Sequence, residues 1–261
     1  MWNVAELTDS NLLPFFLLFV RIVTLLALLP VFGTSAPKSA MAALSFFTTI
    51  LLFPVTDISH VQDVEVDLLH FAELVAQEAL IGILTSLLIL ILFSAVQLAG
   101  YIIGFEIGFG IINVLDPLSG EQVSIFAQFM NMFALLLFFT LNIHHILLTG
   151  FAQSCVLIPI GKVSFPSEIG ELLNYATDYL FLVGLKLAAP IFVTLILKQA
   201  AMGILARTVP QINIFIVGFP ITIGFGLFAM SLLMIYYQEI LTIHFLTMAS
   251  NVETLLQLLM P

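Results

Sequence analysis

Residues 207–220 read RTVPQINIFIVGFP, and this stretch decides how the rest of the chain is interpreted. It starts with a charged residue, turns at a proline and carries two amides before it becomes apolar and reaches a Gly-Phe-Pro triplet. A proline inside a helix removes a backbone donor and crowds the carbonyl four residues back, at a cost of about 3 kcal/mol. In lipid the freed backbone groups need other partners, so a break at this depth indicates burial in protein or contact with water. The stretch therefore predicts contact with something other than lipid.

The composition of the whole chain is that of an integral membrane protein. Hydrophobic residues make up 61% of its 261 residues and charged ones only 8%, whereas a soluble domain carries about 25% charged residues. The formal net charge of −10 argues against binding to nucleic acid. The single cysteine, Cys155, excludes an intrachain disulfide. Because the sequence carries no nucleophile elbow, phosphate-binding loop or zinc signature, we expect neither an enzyme nor a bound cofactor.

Long apolar runs follow one another along the chain. They cover residues 12–32, 39–55, 71–103, 123–150, 177–200 and 213–248. A membrane span needs about 20 apolar residues, so the runs predict an all-α polytopic membrane protein of about six long, kinked helices in hairpins, in contact with membrane lipid. The distribution of Lys and Arg favours both termini on the non-cytoplasmic side.

Two basic residues, Arg21 and Lys186, lie about nine residues into apolar runs. A charge at the centre of a bilayer costs about 2.5–3.5 kcal/mol on insertion scales. One interpretation is an ion pair between helices, with Glu73, Glu78 or Asp178 as the partner. The other is a path for a substrate or a proton. Under both interpretations we expect Arg21, Glu78 and Lys186 to be buried charges in helices that protein shields from lipid.

Residues 100–122 form a second unusual segment. Gly100, Gly104 and Gly108 recur every four residues, which places them on one helical face and allows a neighbouring backbone to approach closely. The segment then continues with apolar and turn-forming residues: Phe105, Glu106, Phe109, Gly110, Ile111, Ile112, Asn113, Asp116, Pro117, Ser119 and Gly120. The pattern fits a helix interface followed by an ordinary loop. It fits equally well a gate that lies across a passage, since irregular backbone at membrane depth must be buried or line a cavity.

The stretch at 207–220 resembles the late signature of FliR, the family of flagellar type III export-gate components. The residues that carry the resemblance are Arg207, Pro210, Gln211, Asn213, Phe215, Gly218, Phe219 and Pro220. Supporting similarities are Glu106 within GFEIGFG, Asp116-Pro117 before Ser119-Gly120, and Pro159-Ile160-Gly161. The chain length and the charge-poor helices agree, so the resemblance covers nearly the whole chain.

This resemblance implies a pore-forming subunit of the export gate in the bacterial inner membrane, at the flagellar basal body. Its expected partners are FliP-like, FliQ-like, FlhB-like and FlhA-like proteins, together with unfolded flagellar subunits in transit. FliP-like and FliQ-like subunits would join it in a helical hetero-oligomer around a channel, with part of the helices above the bilayer on the periplasmic side. This packing would explain buried charges without ion transport.

The resemblance also assigns roles along the chain. Residues 1–170 would form a FliP-like region with a plug loop at 105–122, and residues 171–261 a FliQ-like hairpin with a C-terminal tail. The signature would supply the turn at the tip of that hairpin, near the cytoplasmic entrance of the channel, followed by a bend at Gly218-Phe219-Pro220. The homologous protein of virulence-type injectisomes is an alternative within the same class.

A secondary transporter of a small solute is the alternative from a different class. It would use helices broken at Pro190 and at 218–220 to build a site near the middle of the membrane. The two halves of the sequence carry no matching pair of broken segments, which counts against this interpretation. A membrane enzyme would need a catalytic constellation that the sequence lacks.

Overall fold

The computed structural model describes residues 9–30, 37–58, 61, 67–108, 124–209, 211 and 213–260. In these residues the chain forms helices joined by short connectors, and no strand occurs. The α-helices are α1 (Asp9–Leu28), α2 (Lys38–Leu52), α3 (Leu68–Ile107), α4 (Ile125–Thr140), α5 (Ile143–Leu157), α6 (Glu168–Thr208) and α7 (Ile214–Leu258). One turn of 3-10 helix, Phe53–Val55, follows α2. The predicted all-α fold is confirmed.

Five of the described helices are long and apolar enough to cross a membrane, and the pair α4 and α5 makes a sixth span if it is counted as one. The prediction of a polytopic membrane protein with about six spans is therefore confirmed. The fourth run, at 123–150, is not one helix as predicted. The chain breaks at Leu141 and Asn142, where Asn142 has a φ of 57°. Asparagine tolerates this left-handed conformation better than most residues, so a helix can end inside an apolar run.

Neither the predicted break at 218–220 nor the break at Pro190 that the transporter alternative requires occurs. Helix α6 continues through Pro190, and α7 continues through Gly218 and Pro220. Pro220 lies in the second turn of α7, so it removes only one of the first hydrogen bonds of the helix. The Thr222 hydroxyl donates to the Gly218 carbonyl at 2.7 Å, a type of bond that often bends a helix without interrupting it. A break at 218–220 is therefore wrong, and the bend there stays a prediction.

The chain divides into two compact units. Unit 1 comprises residues 1–91, 142–176 and 246–261, and unit 2 comprises residues 92–141 and 177–245. The boundaries fall inside α3, α6 and α7, so each of these helices contributes residues to both units.

The core of unit 1 is built from α1, α3, α5 and the last turns of α7. Fully or nearly fully buried apolar side chains come from each of these helices, among them Leu18, Ile81, Phe151 and Leu255. Backbone hydrogen bonds join connectors of unit 1 to each other and to the end of α7. Ile160 N–H donates to the Asp57 carbonyl, and Ser164 N–H donates to the carbonyl of Leu259, directly after α7.

The core of unit 2 centres on three phenylalanine rings from three helices. Phe93 of α3, Phe138 of α4 and Phe245 of α7 lie with their ring centroids 5.7–5.8 Å from one another. Edge-to-face and tilted arrangements of this kind stabilise aromatic clusters beyond the area they bury. These three phenylalanines therefore pack between α3, α4 and α7 in the core of unit 2.

The long helices differ greatly in how much of their apolar surface is covered. In the most apolar stretch of α3, 67% of the residues are buried, whereas the corresponding stretches of α6 and α7 are 33% and 17% buried. Large apolar side chains such as Phe181, Leu197, Phe228 and Ile235 are exposed in the isolated chain. Most of α3 is therefore covered, whereas α6 and α7 present apolar faces to lipid or to other proteins.

Candidate functional site

A buried ion pair joins α1 to α3 in unit 1. Nε of Arg21 donates to Oε2 of Glu78 at 2.5 Å, and the two side chains are 0% and 1% exposed. Nη1 of Arg21 also donates to the carbonyls of Ser154 and Ile158, at 3.4 and 3.2 Å. Oε1 of Glu78 accepts the Gly161 N–H at 3.0 Å. The pair therefore holds the end of α5 and the turn after it, as well as the two helices that carry it.

The structure selects one partner for Arg21 among the three acidic candidates. Glu73 is exposed and lies near Gln77 and His70 on the surface of α3, and Asp178 is exposed on α6. A buried charge without a partner would cost several kcal/mol. Arg21 and Glu78 are instead paired with each other, and each makes further hydrogen bonds. The pair therefore acts as a structural clamp.

Close helix contact makes this clamp possible. Gly82 lies one turn after Glu78, where a Cβ atom would come within 2.5 Å of the Arg21 carbonyl and 3.0 Å of the Leu25 nitrogen. Gly161 has a φ of 76°, which favours glycine, and it turns its N–H towards Glu78. The sequence analysis named Gly161 only as part of the family resemblance, without a structural role, and it did not single out Gly82. The signal that could have found Gly82 is its spacing of four from an acidic residue in an otherwise apolar helix.

Lys186 was predicted to be buried, and this is wrong for the isolated chain, where its side chain is exposed. The depth of a residue along an apolar helix does not determine which way its side chain points. The buried face of α6 passes instead through Val183, Leu187 and Ile191.

Two of the three predicted interface glycines meet the start of α4. A Cβ atom on Gly100 would lie 2.8 Å from the Ala127 nitrogen and 2.9 Å from the Phe126 carbonyl oxygen. One on Gly104 would collide with the hydroxyl of Ser124, which precedes α4 as its N-cap. Only glycine at these positions lets the two helices approach so closely.

Gly108 does not lie on that helical face. It follows the last residue of α3 with a φ of 101°, and its N–H bonds the Phe105 carbonyl at 3.0 Å. A positive φ just past a helix end is a common position for glycine. A Cβ atom there would lie 3.1 Å from the ring of Phe219. Gly108 therefore ends α3 beside α7.

The predicted plug loop is described only at its first residues. Phe105 is exposed and Glu106 is half-buried, both in the last turn of α3. The remaining predicted residues lie outside the described part of the chain: Phe109, Gly110, Ile111, Ile112, Asn113, Asp116, Pro117, Ser119 and Gly120. The contact between Gly104 and Ser124 nevertheless holds the two flanks of residues 109–123 close together.

The family-signature residues lie at the turn between α6 and α7. Arg207 is exposed in the last turn of α6, where a positive charge interacts favourably with the helix dipole. Gln211 is exposed, and Pro210 lies outside the described residues. The turn therefore presents polar groups at the tip of the hairpin.

Asn213 begins the second helix of the hairpin. Its side-chain Oδ1 accepts the Ile216 N–H at 3.4 Å, which satisfies one of the unpaired donors of a helix start. Phe215 belongs to the first turn of α7, and Phe219 lies one turn further on. The amide in the signature is thus explained by capping.

Hydrogen bonds tie α6 to α7 in unit 2, and sequence reasoning missed the following pair. The Tyr179 hydroxyl bonds Nδ1 of His244, and the Lys198 ammonium donates to the Thr222 hydroxyl. Lys198 and Thr222 are each twelve residues from position 210, as an antiparallel hairpin with its turn there requires. The equal distance of the two residues from position 210 is the feature of the sequence that could have predicted this contact.

Lys198 also connects the hairpin to α3. The charge of Glu106, in the last turn of α3, acts on the Lys198 ammonium. Glu106, Lys198 and Thr222 thus make up a polar cluster at the end of α3 that is joined by one hydrogen bond and by the attraction of the two charges, without an ion pair among the described residues. In an apolar environment these groups would be costly if they were separated.

Comparison with known proteins gives a consistent result. The family model described as "Bacterial export proteins, family 1" matches residues 12–248. The flagellar biosynthetic protein FliR of Bacillus subtilis (strain 168) is 36% identical over 220 residues, which cover 82% of this chain and 83% of the relative. FliR of Escherichia coli (strain K12) is 33% identical over 216 residues, covering 82% of each protein. The Yop proteins translocation protein T of Yersinia pestis is 23% identical over 242 residues, covering 92% and 91%. The chain therefore belongs to family 1 of the bacterial export proteins, the family that includes FliR, and is a type III export component rather than an enzyme.

Proposed function

We propose that the chain is a pore-forming structural subunit of the flagellar type III protein-export gate. The observation that carries the proposal is the family match, which extends over residues 12–248 and so includes every described helix at least in part. The flagellar branch is favoured over the injectisome because FliR of Bacillus subtilis and FliR of Escherichia coli are 36% and 33% identical and the Yersinia protein 23%.

Residues 105–122 act in this proposal as a plug that closes the pore between transport events. Gly100 and Gly104 support this role because they pack tightly against the start of α4 and so fix both flanks of the segment. A gate needs flanks that stay in place while the segment between them moves. The cluster of Glu106 and Lys198 gives the first flank a second attachment.

The partners in this proposal are FliP-like, FliQ-like, FlhB-like and FlhA-like subunits, with unfolded flagellar proteins as the cargo. The exposed apolar faces of α6 and α7 support the presence of neighbouring subunits, because large apolar patches on a protein surface usually mark sites of interaction with other proteins or with the membrane. We further propose that residues 1–170 correspond to a FliP-like region and residues 171–261 to a FliQ-like hairpin. The complex would lie at the inner-membrane base of the flagellum, with part of its helices on the periplasmic side.

A transporter for small solutes is not favoured. That function relied on broken helices at Pro190 and at 218–220, and both helices are continuous.

Deletion of residues 110–120 tests the pore and the plug together. We expect cells that carry the deletion to become permeable to small ions while the protein still co-purifies with other export subunits. Lys162→Met, an exposed substitution in the connector between α5 and α6, serves as the control and should leave permeability unchanged. Unchanged ion permeability after the 110–120 deletion would show that the plug assignment is wrong. Loss of flagella on removal of the whole protein tests the flagellar branch separately.

A further inference from the structure

Lys186 lies in the middle of an apolar face of α6. Its side chain is exposed, and it forms no hydrogen bond or ion pair with any residue in the described part of the chain. Large apolar side chains are exposed on both sides of it along the helix: Phe181, Leu182, Leu185, Phe192, Val193, Ile196 and Leu197. An unpaired charge therefore interrupts a surface that is otherwise suited to lipid or to protein.

The charged residues of α6 prevent this helix from crossing lipid without exposing a charge. Its longest uncharged stretch covers residues 187–197, whereas the hydrocarbon core of a membrane needs about 20 residues. Any span within α6 must therefore contain Lys186, Lys198 or Asp178. Lys198 is bonded to Thr222 within the hairpin, but Lys186 has no such partner.

Neither Asp178 of α6 nor Glu239 of α7 forms an ion pair with Lys186 in the described part of the chain. The charge of Lys186 acts on His244 of α7, but a histidine supplies no negative charge. The nearest acidic residue of α6, Asp178, is eight residues away, about 12 Å along the helix axis. The counter-charge must therefore come from outside the described part of this chain.

A second copy of the same chain is a poor source for that counter-charge. Copies of a membrane protein insert in the same direction, so their α6 helices run parallel. A symmetric contact between these helices would place Lys186 against Lys186, and such like charges repel. A lipid headgroup is also unfavourable, since the exposed apolar residues continue on both sides of Lys186 and leave it far from either end of the face.

We propose that the face of α6 around Lys186 docks against a membrane helix of another export subunit, and that this helix presents an Asp or Glu carboxylate to the Lys186 ammonium. This inference rests on the proposed function, because it requires that the chain work inside a multi-subunit gate. The apolar residues on either side supply the contact area, and the ion pair fixes which helix binds and at what height. Charge pairs of this kind set specificity and register at interfaces.

Chemical coupling tests the proposed pair directly. A tagged full-length chain is produced in cells with the complete export apparatus, and the membranes are treated with a membrane-permeant carbodiimide, which joins an amine to a carboxylate in direct contact. Mass spectrometry is expected to find a peptide of another subunit joined to Lys186. A link from Lys186 to a peptide of this same chain, or the absence of any link to another subunit, would overturn the proposal.

Substitution tests the energetic role of the pair. We expect Lys186→Glu to reduce recovery of the other subunits with the tagged chain about tenfold or more, because it places two negative charges together in an apolar interface. Lys186→Arg should preserve recovery, and reversal of the partner's coupled carboxylate to lysine should restore recovery of Lys186→Glu. Lys162→Glu, which makes the same charge change in an exposed connector, is the matched control and should behave as wild type.

Two outcomes separate this inference from the proposed function. If the wild-type chain recovers no other export subunit, the proposed function fails. If the wild-type chain recovers them and Lys186→Glu or Lys186→Leu recovers the same amounts, only the docking proposal fails, and Lys186 faces lipid. Equal resistance of the variants and the wild type to protease excludes misfolding of the hairpin as the cause of a loss.

Discussion

Nε of Arg21 in α1 lies 2.5 Å from Oε2 of Glu78 in α3, and both side chains are buried in the core of unit 1. Taking two charges out of water costs about as much as their attraction returns, so such a pair adds little net stability. It does penalise any arrangement in which the two groups are separated. We therefore expect the pair to fix the alignment of α1, α3 and the end of α5.

Removal of one charge from this pair should be far more harmful than removal of both. Arg21→Met or Glu78→Met alone is expected to lower the free energy of unfolding by about 3–5 kcal/mol, because an uncompensated charge is left in the core. The double substitution should recover much of that loss. Thermal unfolding of the purified full chain in detergent measures the difference, with Lys162→Met as an exposed control. Single variants as stable as the double variant would contradict the clamp.

The glycines of α3 should differ in their tolerance of a methyl group. Gly100→Ala places its new Cβ against the backbone of Ala127, whereas Gly104→Ala meets mainly the movable hydroxyl of Ser124. We expect Gly100→Ala to lower stability by about 1–3 kcal/mol and Gly104→Ala to lower it less. Gly203→Ala in α6 is the matched control, since nothing lies within 4 Å of its added Cβ. Equal stability of all three variants in detergent would show that the close contact with α4 is absent.

The helix break at Asn142 should depend on its left-handed backbone. Asn142→Gly is expected to fold at least as well as wild type, because glycine adopts a φ near 57° without steric cost. Asn142→Val should lose about 1–2 kcal/mol, since a β-branched side chain is strained there. Val156→Ala, at an exposed position of α5, controls for a simple change in side-chain size. A stable valine variant would mean that the chain can run helically through 141–142.

The sequence predicted the helices well because a membrane span needs about 20 apolar residues in a row, and such runs are visible in the sequence. It could not predict the break at Asn142, since left-handed backbone depends on a single residue in an apolar run. Continuity of α7 through Pro220 was missed for a related reason: an early proline costs only one of the first hydrogen bonds of the helix. Periodicity placed Gly100 and Gly104 on one face, but the end of α3 at Gly108 comes with a left-handed backbone, at a φ of 101°, which the spacing of the glycines does not reveal.

For charged residues, the sequence showed which of them are unusually placed but not which partners they have. The depth of Arg21 and of Lys186 in apolar runs marked both as unusual. Only the packing of α1 against α3, at Gly82, determined that Arg21 finds Glu78. Lys186 is exposed, as are its neighbours Leu182 and Leu185 on α6. A partner on another chain cannot be found from one sequence.

Lys198 should help to hold the end of α3 against the hairpin. Its ammonium donates to the Thr222 hydroxyl, and the charge of Glu106 acts on it. Lys198→Met removes both interactions and leaves a carboxylate without its counter-charge at the start of the proposed plug, a loss of about 1–3 kcal/mol. We expect a rise in ion permeability smaller than that of the 110–120 deletion, with Thr222→Val milder still because it keeps the charge.

Combining Lys198→Met with Glu106→Gln should restore part of the seal, since no unpaired charge then remains. Ion permeability of cells in which the variants still co-purify with other export subunits is the measurement, with Lys162→Met as the control. A Lys198→Met variant that is as impermeable as wild type would show that this cluster does not support the plug.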